Sequence, residues 1–190
     1  HSSVNGIFDK EIGGWHENPF FINGPVREHT DWFTDMLFTI QGIDDVIPIV
    51  FNYSRFVCDV ERLENDPMEK QGQGIIYDCY EGYVRRLNPE MRERIFKLRE
   101  DHLSRIVENI SDNGSTVLID CHSFTQADED APDIYIGFNG DFSYDERIVD
   151  LLLKEFNSSG YSTALNKPYA NTLTPVKDKE YKSVMIEVNK

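Results

Sequence analysis

The chain has 190 residues, enough for one domain with a proper core. Its formal net charge of -15 argues against nucleic acid and against an anionic membrane surface, both of which would repel it. The three cysteines, Cys58, Cys79 and Cys121, are widely spaced and form no CxxC pair, so a reducing, cytoplasmic setting is expected rather than a disulfide framework. No stretch is long and apolar enough to span a bilayer, and no signal peptide is visible.

In chain order, residues 1–29 read as loop, broken by Gly6, Gly13, Gly14, Pro19, Gly24 and Pro25. An α/β domain ordinarily brings a strand into such an opening, so the first strand is expected to be missing, and likewise the carboxyl-terminal end. Thr30 predicts the cap of a helix from Asp31 to about Gln41, with Trp32, Met36, Leu37 and Ile40 on one side. Val46 to Phe51 predicts a buried strand, and Tyr53 to Val60 a short second one. Residues 63–78, with Pro67, Gly72 and Gly74, predict a surface loop.

Asn88-Pro89 opens the clearest helix, a cap followed by proline in the first turn. Met91, Ile95, Leu98, His102, Ile106 and Ile110 form its apolar stripe, and Asn113-Gly114 ends it. Val117 to Ile119 predicts a buried strand and Ile134 to Ile136 a short one. A helix carrying Ile148, Leu151, Leu152 and Phe156 follows, then strands at Thr163 to Leu165 and Val184 to Val188. Strands alternating with helices predict an α/β fold of three layers, α/β/α, around a mixed sheet.

The chemistry concentrates in Leu118-Ile119-Asp120-Cys121-His122-Ser123, an apolar run ending on an acid and a histidine. Asp120 and His122 are two apart and share one side of a strand, whereas Cys121 points away, so a Cys121–His122 dyad is disfavoured. A histidine placed there binds a metal or shuttles a proton. Of the other histidines, His102 reads as a packing residue, and His16 and His29 as surface residues. Asp31 and Asp35, four apart, share a helix face, where they serve either as a solvated acidic face or as a metal carboxylate. Arg55 and Arg62 flank Asp59, as ordinary ion-pair partners or as planar forks for a carboxylate. Glu187, inside an apolar strand, must face solvent, meet a cation or sit in a site.

Taken together, several segments resemble the N-formylglutamate amidohydrolase (deformylase) family. They are His1-Ser2-Ser3, Thr30-Asp31-Trp32-Phe33-Thr34-Asp35-Met36-Leu37-Phe38, Ser54-Arg55-Phe56-Val57-Cys58-Asp59 with Arg62, Asp120-Cys121-His122-Ser123, Pro132-Asp133-Ile134 with Gly137, Pro168-Tyr169, and Glu187-Val188-Asn189. The resemblance implies a zinc-carboxypeptidase-like (phosphorylase/hydrolase-like) fold and a single amidohydrolase domain over residues 1–190. It further implies one zinc held by His1, His122 and Asp35, with Asp31 as the alternative carboxylate. Glu187 is then the general base, Arg55 the oxyanion partner and Arg62 the substrate-carboxylate partner. Asp120 would orient a ligand histidine, and Tyr169 would line the pocket.

The implied substrate is a small N-acyl amino acid, N-formyl-L-glutamate, cleaved to glutamate and formate. Two departures weigh on that substrate: Glu61 stands before Arg62 where the family carries asparagine, and Ala170-Asn171 replaces a glycine pair. A zinc peptidase or an amidase for a peptide or cell-wall amide is therefore an alternative. A catalytically inactive binding domain of the same fold is another.

Overall fold

The computed structural model describes residues 3–40, 42–111, 114–125, 130–167 and 170–190. Two compact units arise, one from the residues up to Asp35 with Thr39–Arg105, the other from Met36–Phe38 with Ile106–Lys190.

The first unit is built mainly of turns around an aromatic core. The short helix α1 (Pro19–Phe21) starts at Asn18, whose side chain accepts the Phe20 N–H at 2.9 Å. It delivers Phe21 into the core, where its ring stacks on Trp15 at 4.6 Å and meets Phe56 edge-on at 5.2 Å. Phe56 also meets Tyr77 and Tyr80 at 5.5 and 5.3 Å. The opening loop is threaded close to the rest of its unit. Gly14 has a left-handed φ of 78°, and a Cβ there would lie 2.5 Å from the Arg86 carbonyl oxygen, so only glycine fits.

Helix α2 covers only Thr34–Leu37, shorter than the helix expected from Asp31 to Gln41 (Gln41 itself lies outside the described residues). Phe33 has a left-handed φ of 66°, which interrupts the helix at its start. Thr30, Thr34 and Thr39 donate their hydroxyls to the carbonyls of Val26, Asp31 and Asp35, local bonds that compete with helical ones. Asp31 and Asp35 therefore do not share one helix, and Met36, Leu37 and Ile40 are exposed.

The strands expected at 46–51 and 53–60 do not form either. Pro48 removes a ladder donor from the middle of the first run, and Val46, Ile47 and Val50 stay exposed. Residues 54–57 instead make a turn, with the Val57 N–H donating to the Ser54 carbonyl at 2.9 Å. Residues 67–71 form a 3-10 turn inside the expected loop, and β1 (Cys79–Tyr80) pairs antiparallel with β2 (Tyr83–Val84). Helix α3 (Pro89–Asn109) starts at Asn88-Pro89 as predicted and ends at Asn109, short of the stop expected at Asn113-Gly114. The Asn88 side chain accepts the Met91 N–H at 2.9 Å, and Ile95, His102 and Ile106 are buried.

The second unit is a mixed four-stranded sheet of order β3-β6-β4-β5, formed by β3 (Val117–Phe124), β4 (Ile134–Gly137), β5 (Thr163–Leu165) and β6 (Lys182–Asn189). The β3/β6 and β4/β5 pairs are parallel and β4/β6 is antiparallel. Strand β3 lies at the sheet's edge. Val117 and Ile119, expected to be buried, are 43% and 48% exposed, while Ser123 and Phe124 at its other end are buried.

Helix α4 (Glu146–Ser158) sets Val149, Ile148, Leu152 and Phe156 against Ile134, Ile136, Val184 and Ile186 of the sheet. Leu151, placed on the apolar face by its spacing, is exposed. The alternation of strands and helices expected from the sequence is thus realised in this unit as an α/β arrangement.

Asp145 caps α4, accepting from the Arg147 backbone N–H at 2.9 Å and from the Arg147 guanidinium at 2.6 Å. The Arg147 side-chain hydrogen bonds hold its carboxyl at about 2, below the ordinary carboxylate range. A carboxyl depressed on folding contributes stability that is complete above its unfolded value and lost as pH falls through the folded one. Asp145→Ala is therefore expected to lower the melting temperature at pH 7 and to cost progressively less as pH falls from about 4 towards about 2. Paired thermal melts across that window check it, and a pH-independent difference would contradict it.

Candidate active site

In the second unit, β3 and β6 bring the predicted chemistry together. The parallel register sets His122 opposite Glu187 and Asp120 opposite Met185. Residues directly opposite in a ladder share a face, as do residues two apart on one strand. Asp120, His122 and Glu187 therefore lie on one face of the sheet. Tyr135, opposite Glu187 in the antiparallel β4/β6 pair, joins them. His122 and Glu187 are buried, at 7% and 8% exposure, so their polar atoms lie in a setting of reduced dielectric.

The His122 Nε2 lies 3.1 Å from Asp120 Oδ1, and the other Asp120 oxygen accepts the Leu173 N–H at 2.9 Å. Burial alone would raise the Asp120 carboxyl, but the His122 ring and these hydrogen bonds outweigh it and hold the group below its ordinary value. An ionised carboxylate at Nε2 fixes the tautomer and orientation of His122, with the proton on Nε2 and Nδ1 as the unprotonated ring nitrogen. Cys121 is not part of this chemistry. Burial, followed by the Asp120 charge, pushes its thiol up to about 12, so it stays protonated at neutral pH. The strand extends past His122 to Phe124, so these groups lie within β3 rather than at the strand end where the sequence placed them.

In the first unit, the segment Ser54–Arg62 presents two arginines around one buried acid. Arg55 Nη2 lies 3.9 Å from Asp31 Oδ1. Burial works against the Arg55 charge, but Asp59 first, then Asp31 and Glu61, more than compensate and keep the guanidinium protonated. Arg62 Nε lies 3.6 Å from Asp59 Oδ2, its Nη1 lies 3.7 Å from Asp66 Oδ1, and its Nη2 donates to the Tyr77 hydroxyl at 3.5 Å. Of the two candidate carboxylates, Asp31 is buried and paired, whereas Asp35 is exposed.

His29 is half-buried rather than a surface residue. Its Nε2 shares a hydrogen bond with the Tyr80 hydroxyl at 2.5 Å, and burial, then Arg55, lowers its pKa. Tyr77, Tyr80 and Tyr135 carry no signal in the sequence, since the first two sit in an aperiodic stretch and the third reads as core. His1 and Tyr169, both expected in the site, lie outside the described residues. Among the described residues, no helix is long and apolar enough to cross a membrane.

Residues 23–190 match the family model for N-formylglutamate amidohydrolase. A crystal structure of N-formylglutamate amidohydrolase from Ralstonia eutropha JMP134 superposes with a TM-score of 0.64 at 17% identity, covering 87% of this chain and 73% of that one. A gene product of Agrobacterium tumefaciens superposes with a TM-score of 0.52 at 22% identity, covering 73% of this chain and 57% of its own. At these identities the structural likeness speaks for the fold, which agrees with the α/β/α class expected from the sequence. No curated protein matches the chain.

Proposed function

Because the chain belongs to the N-formylglutamate amidohydrolase family, we propose that it hydrolyses the linear amide of N-formyl-L-glutamate to glutamate and formate, with zinc as its cofactor. Family membership itself supports a hydrolase of carbon–nitrogen bonds; the substrate and the metal are parts of the proposal. The observation that carries the reading furthest is the single sheet face shared by Asp120, His122 and Glu187. The donor chemistry fits zinc: an imidazole oriented by a carboxylate 3.1 Å away is the usual setting of a zinc-binding histidine. The ligands in this reading are His1, His122 and Asp35, with Asp31 as the alternative carboxylate. When bound, zinc supplies Lewis acidity and lowers the pKa of water.

The chain's own groups do the rest. Glu187 takes a proton from the water that adds to the formyl carbon and returns it to the amide nitrogen as the carbon–nitrogen bond breaks. Arg55 donates to the oxygen on which negative charge develops. Arg62 grips a substrate carboxylate with its planar fork, and Tyr169 lines the pocket. The whole chain, residues 1–190, acts as one catalytic domain in this reading. All three cysteines are free, which supports a reducing, cytoplasmic location.

A peptidase or amidase on a peptide or cell-wall amide is the second reading. It is favoured by the acidic surroundings of Arg62, which follows Glu61 in the chain and lies 3.6 Å from Asp59 and 3.7 Å from Asp66, carboxylates that compete with an acidic substrate. Formate release from N-formyl-L-glutamate, set against hydrolysis of neutral acyl peptides, separates the two. Metal analysis of wild type and His122→Ala tests the zinc site. Zinc is expected to accompany wild type and to fall to background in the variant, together with formate release. A variant that kept wild-type zinc would remove His122 from the ligand set.

A further inference from the structure

Arg55 and Arg62 keep 23% and 26% of their side chains exposed, whereas the carboxylate between them in the chain, Asp59, keeps 5%. The acid is therefore buried beneath groups that reach solvent. Its own position is firmly held: the Asp59 N–H donates to the Ile75 carbonyl at 2.9 Å, and its neighbours Val57 and Cys58 are fully buried. Tyr77, also buried, accepts from Arg62 Nη2, and the Arg62 backbone carbonyl receives Arg99 Nη2 at 3.1 Å. Arg62 keeps Asp66 as a further partner, 3.7 Å from its Nη1, as Arg55 keeps Asp31, but Asp59 is the more deeply buried of the two acids on Arg62, at 5% against 20%. A fork that is already held in place grips a carboxylate more tightly, because less freedom is lost on binding.

We propose that Asp59, seconded by Tyr77 and with Asp66 on Nη1, is the positioning residue for Arg62, holding its guanidinium from the buried side so that the part of the fork that reaches solvent receives the substrate's carboxylate. The inference rests on the reading of Arg62 given above. Asp59 itself does not touch the substrate; it acts through the arginine.

The test uses the zinc-loaded protein and N-formyl-L-glutamate. In Asp59→Asn, which keeps the volume and removes the charge, KM is expected to rise about tenfold while kcat stays within about threefold. In an Arg62→Ala background the same substitution is expected to leave KM unchanged, because the residue through which it acts is gone. Tyr77→Phe is expected to raise KM about threefold with kcat unchanged, and it decides the matter if Asp59→Asn does not fold. A folded Asp59→Asn with wild-type KM, an equal loss in the Arg62→Ala background, or an unaltered Tyr77→Phe when the first variant is unfolded would each overturn the assignment. Wild type that releases no formate from N-formyl-L-glutamate would overturn the substrate reading, and the role of Asp59 with it. Active wild type with an unaffected Asp59→Asn overturns only the latter.

Discussion

Glu187→Gln is expected to slow formate release from N-formyl-L-glutamate about 10²- to 10⁴-fold, the usual contribution of a positioned general base, with zinc content unchanged. Glu187 stands on β6 opposite His122, within an apolar strand and 8% exposed. Glutamine fills the same volume and still forms hydrogen bonds, but it cannot accept a proton and hold it for the leaving nitrogen. Because the substitution is nearly isosteric, a loss of turnover with unaltered melting temperature and metal content isolates proton transfer. Turnover at the wild-type rate would remove Glu187 from that role.

Arg85→Met is expected to lower the unfolding free energy by about 3–5 kcal/mol, because four buried backbone carbonyls lose their donor at once. Arg85 is 5% exposed, and its guanidinium donates to four backbone carbonyls: Ile12 and Gly13 of the opening loop, Val57 beside the Arg55 segment, and Tyr77. It also lies 5.7 Å from the centre of the Trp15 ring. Methionine can occupy the stem's volume but leaves these acceptors without a donor. Arg85→Lys is expected to recover little, since an ammonium cannot reproduce the planar fork. Denaturant titration measures both variants, and a loss under about 1 kcal/mol for Arg85→Met would show that the carbonyls find other donors.

Much of the second unit was legible from local pattern. Helix α4, β5 and β6 follow from caps and periodicity, whose energies act over a few residues, as does helix α3, most of which belongs to the first unit. Pairing with β6 extends β3 beyond its apolar run, so Asp120, Cys121, His122 and Ser123 all become strand residues. The first unit was far less legible. Its 46–51 run has strand composition and no ladder, and its 31–41 run has helical spacing but threonines that bond elsewhere.

Alone, the sequence determined the family, the α/β class and the residue types from which the proposed chemistry is drawn. The shared sheet face was half legible, since the two-residue spacing of Asp120 and His122 already placed them side by side. Only the tertiary structure brought Glu187 opposite His122, buried Asp59 beneath two arginines and gathered four carbonyls around Arg85. The difference is physical. Caps and periods are settled by neighbours along the chain, whereas strand register and the compensation of a buried charge depend on partners tens of residues away.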